Sequence, residues 1–321
     1  MAVEESAMGD SQYYWISYSH TNIHEEMIND EHRTKTYKEA IEYYCKDKVV
    51  LDVGCGTGIL SLFAAQAGAK KVYAIEMSDI AGFAAYIVRH NNYEKVIQVI
   101  QGRVEDIEVP EKVDIIVSEW MGYNLLFEGM LSSVLTARRF LKEERKEPVM
   151  LPNKCHLFIC GIEGNEEYIT KRKTFCELYG DMDLTENLPL MEAVIKDIKE
   201  NRVVTTRTVV ADLNLETMVG DEVNFSAPFE ITVTRKTEMS GFCCYFDCFF
   251  DHHSILTTQP GQSTHWKQTL FFLKYPLKME MGDRIGGIYV CKQNATNQRN
   301  LDISINFSKN NVLYQMNYFL N

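Results

Sequence analysis

Val49-Val50-Leu51-Asp52-Val53-Gly54-Cys55-Gly56-Thr57-Gly58, running on into Ile59 to Ala67 and closed by Gly68, decides the fold. The opening run is short, apolar and rich in β-branched residues, and the three glycines permit a sharp turn. Ile59 to Ala67 consists of good helix formers, so the stretch predicts strand, glycine loop and helix. Outward from it, Lys71 to Glu76 predicts a second strand ending in a carboxylate, followed by a helix over about 80–91. Further strands are predicted at 96–100 and 113–117, and a helix from Met130 to Leu141. Buried apolar strands alternating with helices predict a parallel α/β sheet covered on both faces. Upstream, helical punctuation with caps available at Asp30 and Thr34 runs from His24 to Tyr44.

The pattern changes after Pro152. Segments 203–211, 230–235, 242–250, 268–274, 285–291 and 301–307 are short and β-rich, with turn signals between them, while 165–200 reads as helical or irregular. The second half is therefore expected to be antiparallel β, closed into a sandwich or barrel because a small sheet must cover its edges. A chain of 321 residues allows about two domains. With 45% hydrophobic and 24% charged residues, disorder and collagen are excluded.

Lys and Arg number 33 against 45 Asp and Glu, a net charge of −12. That balance argues against direct nucleic-acid binding and favours a basic substrate. No window reaches the roughly 18 apolar residues of a membrane helix, and Met1 to Asp10 is acidic where a secretory signal is basic and then apolar. The expectation is a protein of the nucleus or cytoplasm, without membrane attachment. Its nine cysteines, an odd number without a regular framework, are expected as free thiols. Cys243, Cys244 and Cys248 lack the second pair or the histidine that zinc needs, so no metal is expected. The Asn-x-Ser/Thr triplets at Asn224, Asn294 and Asn306 are read as chance matches.

Gly54, Gly56 and Gly58 let the backbone approach a ligand at the start of a helix. Their spacing is not the Gly-x-Gly-x-x-Gly of dinucleotide binding, so a nucleoside-like ligand without a pyrophosphate fits better. Asp52 and Glu76 close two strands, Glu76 where such folds place an acid for ribose hydroxyls. After the fourth strand comes Ser118-Glu119-Trp120-Met121-Gly122-Tyr123-Asn124-Leu125-Leu126-Phe127-Glu128-Gly129-Met130. Two acids in an apolar, aromatic loop call for a cation, and a guanidinium with five donors in a planar fork suits both. Taken singly, His24, His265, Met27 and Met130 are more often ordinary structural residues, and Trp266 fits a plain packing role.

The glycine stretch, the loop from Ser118 to Met130 and Thr264-His265-Trp266 together resemble the type I protein arginine N-methyltransferases, over nearly the whole chain from Tyr13. The resemblance implies a Rossmann-like class I methyltransferase domain binding S-adenosylmethionine (48–152), preceded by an N-terminal helical lid (1–47). An antiparallel β-barrel domain (153–321) would follow, with an inserted helical arm at about 168–187 that makes a homodimer. It further implies that Glu119 and Glu128 clamp the substrate guanidinium, and that His265 sits beside the clamp paired with Asp30. Glu76 would hold the ribose, Glu105 the adenine side, and Arg33 the cofactor carboxylate. His24, Met27, Asp52, Gly54 and Gly56 would complete the cofactor site, with Tyr14, Tyr18, Met130 and Trp266 around cofactor and substrate.

The implied substrates are arginine-containing proteins, Gly/Arg-rich segments and histone tails, with monomethyl and asymmetric dimethylarginine as products. The proton acceptor is left open between Glu128 and His265 with Asp30. Trp15 stands where the family usually has Phe, and Lys142 to Pro148 lacks the usual Gly-Gly turn. A catalytically weak scaffold that binds S-adenosylmethionine, a small-molecule methyltransferase and a nicotinamide oxidoreductase are the competing readings. The presence of both glutamates and of the Thr-His-Trp loop speaks against the first, the second domain against the second, and the glycine spacing against the third.

Overall fold

Five parallel strands carry the first half of the chain. They are β1 (Val49–Val53), β2 (Lys71–Glu76), β3 (Ile97–Gln101), β4 (Ile115–Val117) and β5 (Met150–Leu151), in the order β3-β2-β1-β4-β5. The computed structural model describes residues 21–128, 130–144, 148–164, 192–219, 223–310 and 312–321, without the side chains of 21–24. β1 is buried at all five positions, as expected of a strand covered on both faces. Helices α1 (Thr21–Asn29) and α2 (Glu31–Tyr44) precede the sheet, while α3 (Ile59–Gln66) and α4 (Ile80–His90) link β1 to β2 and β2 to β3. A further helix, α5 (Leu131–Ala137), follows β4 and ends in a 3-10 turn over Arg138–Phe140, shorter than the helix predicted to Leu141. Strand order reverses between β1 and β4, so the ligand crevice belongs outside their carboxyl ends.

The second half is antiparallel, in chain order β6 (Lys154–Glu163), β7 (Val194–Lys196), β8 (Thr208–Asn214), β9 (Phe225–Thr232), β10 (Thr237–Phe250), β11 (Ser254–Thr257), β12 (Gln268–Met279), β13 (Arg284–Gln293), β14 (Leu301–Lys309) and β15 (Val312–Leu320). Two sheets form, β7-β12-β10-β6-β8 with β11 added to β10, and β15-β14-β13-β9. The expected barrel is thus two sheets rather than one continuous ladder. Their edges meet through single bridges, Thr205 with Val233 and Glu192 with Phe319, which cover the edge strands without full pairing. The arm expected at 168–187 lies outside the described residues.

The two halves share one apolar core, in which Leu51, Tyr37, Trp266, Phe246 and Phe250 all fall. Cys243, Cys244 and Cys248 lie on β10 as buried free thiols within the sheet. Of the two caps expected between His24 and Tyr44, Asp30 is the one used: its extended backbone and side chain cap α2 by accepting from the Arg33 amide at 3.0 Å. Tyr37 then fixes α2 against both halves. Its ring meets Phe250 edge-on with centroids 4.8 Å apart, and its hydroxyl donates to the Ser118 carbonyl at 3.0 Å, at the end of β4. Tyr37→Phe leaves that buried carbonyl short of a donor, and a loss of about 1–3 kcal/mol in stability is expected from urea unfolding.

Candidate active site

At the carboxyl ends of β1, β2 and β4 lies a cavity of about 650 Å³, bounded by α1 and α2 on one side and by His265 and Trp266 of the antiparallel half on another. The glycine loop forms its floor. Gly54, Gly56 and Gly58 have φ of +72°, +53° and +88°, values that favour glycine. A Cβ on Gly54 would lie 2.8 Å from the Met130 Cε, so the methionine methyl packs directly on the bare backbone.

Glu76 at the end of β2 holds this loop. Its Oε2 accepts from the Gly56 amide at 2.9 Å and its Oε1 from the Ser78 amide at 2.8 Å. A carboxylate has about four acceptor positions, so two remain for ligand hydroxyls. Glu105 also lines the cavity, with Oε1 accepting from the Ser133 hydroxyl at 2.5 Å. Arg139 steadies that wall by donating to the carbonyls of Val104, Glu105 and Ile107.

Asp52 is placed differently from the expected cofactor contact. It does not line the cavity; its Oδ2 accepts from the Ser61 hydroxyl at 2.6 Å on α3, and its Oδ1 has no hydrogen-bond partner among the described residues. Burial pushes its carboxyl up to about 7, against the opposing Ser61 bond. Alternation along β1 explains the difference, since successive side chains point to opposite faces and Asp52 turns towards the helix.

Glu119 and Glu128 both line the cavity. The loop between them is built from unusual backbone, with Asn124, Leu125 and Glu128 at φ of +52°, +67° and +81°. Such conformations cost about 1–3 kcal/mol each and persist only where the surroundings impose them. Trp266 Nε1 donates to the Met121 carbonyl at 2.8 Å, and Asn124 Nδ2 donates to the Tyr289 hydroxyl at 2.8 Å, so the antiparallel half shapes this loop. Within it, Gly122 is held so close to Phe127 that a Cβ would overlap the Phe127 carbonyl oxygen.

The Arg33 guanidinium lies on Glu119 at the cavity wall. Nη2 and Nε donate to Oε2 at 2.9 and 3.2 Å, and Nη1 donates to the Met27 carbonyl at 3.3 Å. Both side chains are under one-tenth exposed. Two buried charges beside a cavity satisfy one another when no other partner is nearer. Asp30 joins α2 to the antiparallel half, with Oδ2 accepting from the His265 amide at 2.9 Å and facing His265 Nδ1 at 2.8 Å. Burial alone would raise the Asp30 carboxyl, yet bonds from the His265 side chain and from the Arg33 and His265 amides hold it below its ordinary value.

Among the sequence-derived candidates, Met27, Arg33, Gly54, Gly56, Glu76, Glu105, Glu119, Glu128, Met130, His265 and Trp266 therefore face one cavity. Asp30 reaches it through His265. Tyr14 and Tyr18, and the side chain of His24, lie outside the described residues.

Comparison with known proteins places this geometry. The arginine methyltransferase oligomerization subdomain matches residues 153–312, and the ribosomal protein L11 methyltransferase model matches residues 31–142. Protein arginine N-methyltransferase 1 of Chlamydomonas reinhardtii is 42% identical, covering 95% of this chain and 90% of its own length. The Schizosaccharomyces pombe protein of the same name is 41% identical, over 95% of this chain and 92% of its own. Among solved structures, the Trypanosoma brucei PRMT1 enzyme-prozyme heterotetrameric complex with AdoHcy has 39% identity and a TM-score of 0.87, covering 95% of this chain and 100% of the other. The chain belongs to the protein arginine N-methyltransferase family.

Two outcomes follow from the site. Gly122→Ala should shift the Glu119 to Glu128 loop and lower peptide methylation about 10²-fold, measured as methyl transfer at saturating donor. The Asp30 carboxylate, with its folded value depressed, contributes stability fully above the ordinary value of 3.8, and loses it as pH falls through the lower folded value. Asp30→Asn should therefore be less stable than the parent at pH 7, with the difference shrinking as acid is added. Urea midpoints across the acid range read this directly, and a constant difference contradicts it.

Proposed function

We propose that the cavity seats S-adenosylmethionine against the glycine loop and a protein arginine between Glu119 and Glu128, giving monomethyl and then asymmetric dimethylarginine. One observation carries the reading: two glutamates of one loop face the same cavity as the glycine turn, and Glu119 already holds a guanidinium, that of Arg33.

The residues present suit the cofactor. The volume lies in the range of small-ligand sites, the glycine backbone admits close approach, and Glu76 keeps acceptor capacity for ribose hydroxyls. Arg33 offers a planar fork to the cofactor carboxylate, which releases part of its hold on Glu119 for the substrate. Glu105 would serve the adenine side, and Met27 and Met130 the apolar walls.

When bound, the cofactor supplies an electrophilic methyl on a sulfonium centre. The arginine side chain is protonated at any working pH, so its nitrogens are poor nucleophiles until charge is drawn to one end. Glu119 and Glu128 would do this by hydrogen-bonding the fork from two directions, which also fixes which nitrogen is presented for attack. The proton released on transfer goes to His265, whose Nδ1 is held by Asp30. Trp266 backs the clamp rather than reacting.

Basic, Gly/Arg-rich segments and histone tails fit the net charge of −12 as substrates. A homodimer fits the exposed Phe83 and Tyr86 of α4, an apolar pair available to a second copy of the chain.

Glu128→Gln keeps the shape of the side chain but removes its charge, so turnover should fall about 10²–10³-fold while S-adenosylhomocysteine affinity stays within about twofold. The reading as a whole is tested by fragmentation mass spectrometry of Arg-Gly-Gly and histone-tail peptides after incubation with methyl-labelled donor. Neutral loss of dimethylamine is expected; symmetric or solely monomethylated product would overturn the product assignment.

A further inference from the structure

The φ of +81° at Glu128 requires something to hold it, and the surrounding hydrogen bonds identify one residue of the antiparallel half. The Glu128 amide donates to the Arg299 carbonyl at 2.9 Å, and Arg299 Nη1 donates to the Glu128 carbonyl at 2.7 Å. A single residue thus grips both polar groups of the Glu128 backbone, and its cationic donor makes one of the two bonds charge-assisted.

Arg299 is itself set by the turn between β13 and β14. Asn294 Oδ1 accepts from the amides of Thr296 and Asn297 at 2.9 and 3.0 Å, and Asn297 Oδ1 accepts from the Arg299 amide at 3.0 Å. Asn294 Nδ2 donates to Asp302 Oδ1 at 2.9 Å, anchoring the turn to β14. The Asn294-Ala295-Thr296 triplet therefore has a structural use as a side-chain-bonded turn. Arg299 also lines the cavity wall beside Glu128.

We infer that Arg299 is a positioning residue for methyl transfer. By fixing both backbone groups of Glu128, it sets the direction from which that carboxylate meets the substrate guanidinium. The inference rests on Glu128 acting as one arm of the clamp. No bond is made or broken at Arg299; its contribution is geometric, and displacement of a reacting group by about 1 Å costs on the order of 10²-fold in rate.

The test compares Arg299→Ala, Arg299→Lys, Asn297→Ala and Glu128→Gln in the full-length protein, measuring kcat, peptide KM and the S-adenosylhomocysteine dissociation constant by calorimetry. Arg299→Ala should lower kcat about 10–100-fold with the dissociation constant within about twofold, since the glycine loop and Glu76 are untouched. Arg299→Lys keeps one charged donor and should recover several-fold of the lost kcat, which a merely structural role would not give. Asn297→Ala, which loosens the Arg299 amide, should lower kcat in the same selective way, and it decides the matter with Arg299→Lys if the alanine variant does not fold. A kcat for Arg299→Ala within about threefold of the parent overturns the inference, as does an equal loss in cofactor affinity or a lysine variant no better than alanine. Full turnover in Glu128→Gln would overturn the clamp itself, whereas an inactive Glu128→Gln beside a normal Arg299→Ala would sink only the role of Arg299.

Discussion

Glu119 and Glu128 put two carboxylates on the wall of one cavity, and a carboxylate removed from water costs several kcal/mol unless a cation or hydrogen-bond donors meet it. Arg33 meets Glu119, capped into place by Asp30 at the start of α2. Asp30 in turn faces His265, so the same acid that begins the helix also ties α2 to the antiparallel half. The demand of buried anions for cationic partners thus accounts for the placing of α2 and for the charge arrangement of the cavity.

The loop bearing those acids does not hold its own shape. Three non-glycine residues in left-handed conformations would relax if the loop stood alone, and Trp266, Tyr289 and Arg299 come from strands or turns more than a hundred residues downstream. The parallel sheet supplies the cofactor floor, while the antiparallel half supplies the geometry of the acids. Neither half contains the site, which explains why one core runs through both.

Much of the first half was legible because β1 and β2 are short, mostly apolar runs that each end at or beside a carboxylate, and a glycine turn marks the end of β1 ahead of its helix. The second half was less so. β6 opens with Lys154 and His156 among alternately buried residues before its apolar stretch from Leu157, which blurs its start, and β15 exposes Val312 and Leu313. β11 has four residues, too few for periodicity to register. In the site, the acids, the histidine and the glycines were visible because their chemistry is unusual for apolar surroundings. Arg299 and Tyr289 were not, because their roles are backbone and side-chain bonds across the fold, and an arginine in an asparagine-rich turn reads as an ordinary surface residue. The pairing of Arg33 with Glu119 was likewise beyond sequence reasoning, since which anion a buried arginine chooses depends on distance.

We propose that the two glutamates bind the substrate guanidinium while Arg33 turns to the cofactor. A crystal structure with S-adenosylhomocysteine and an arginine-containing peptide addresses it directly. The peptide guanidinium is expected to bond both Glu119 and Glu128, with Arg33 on the carboxylate of the cofactor; a peptide arginine bound away from either glutamate would contradict this arrangement.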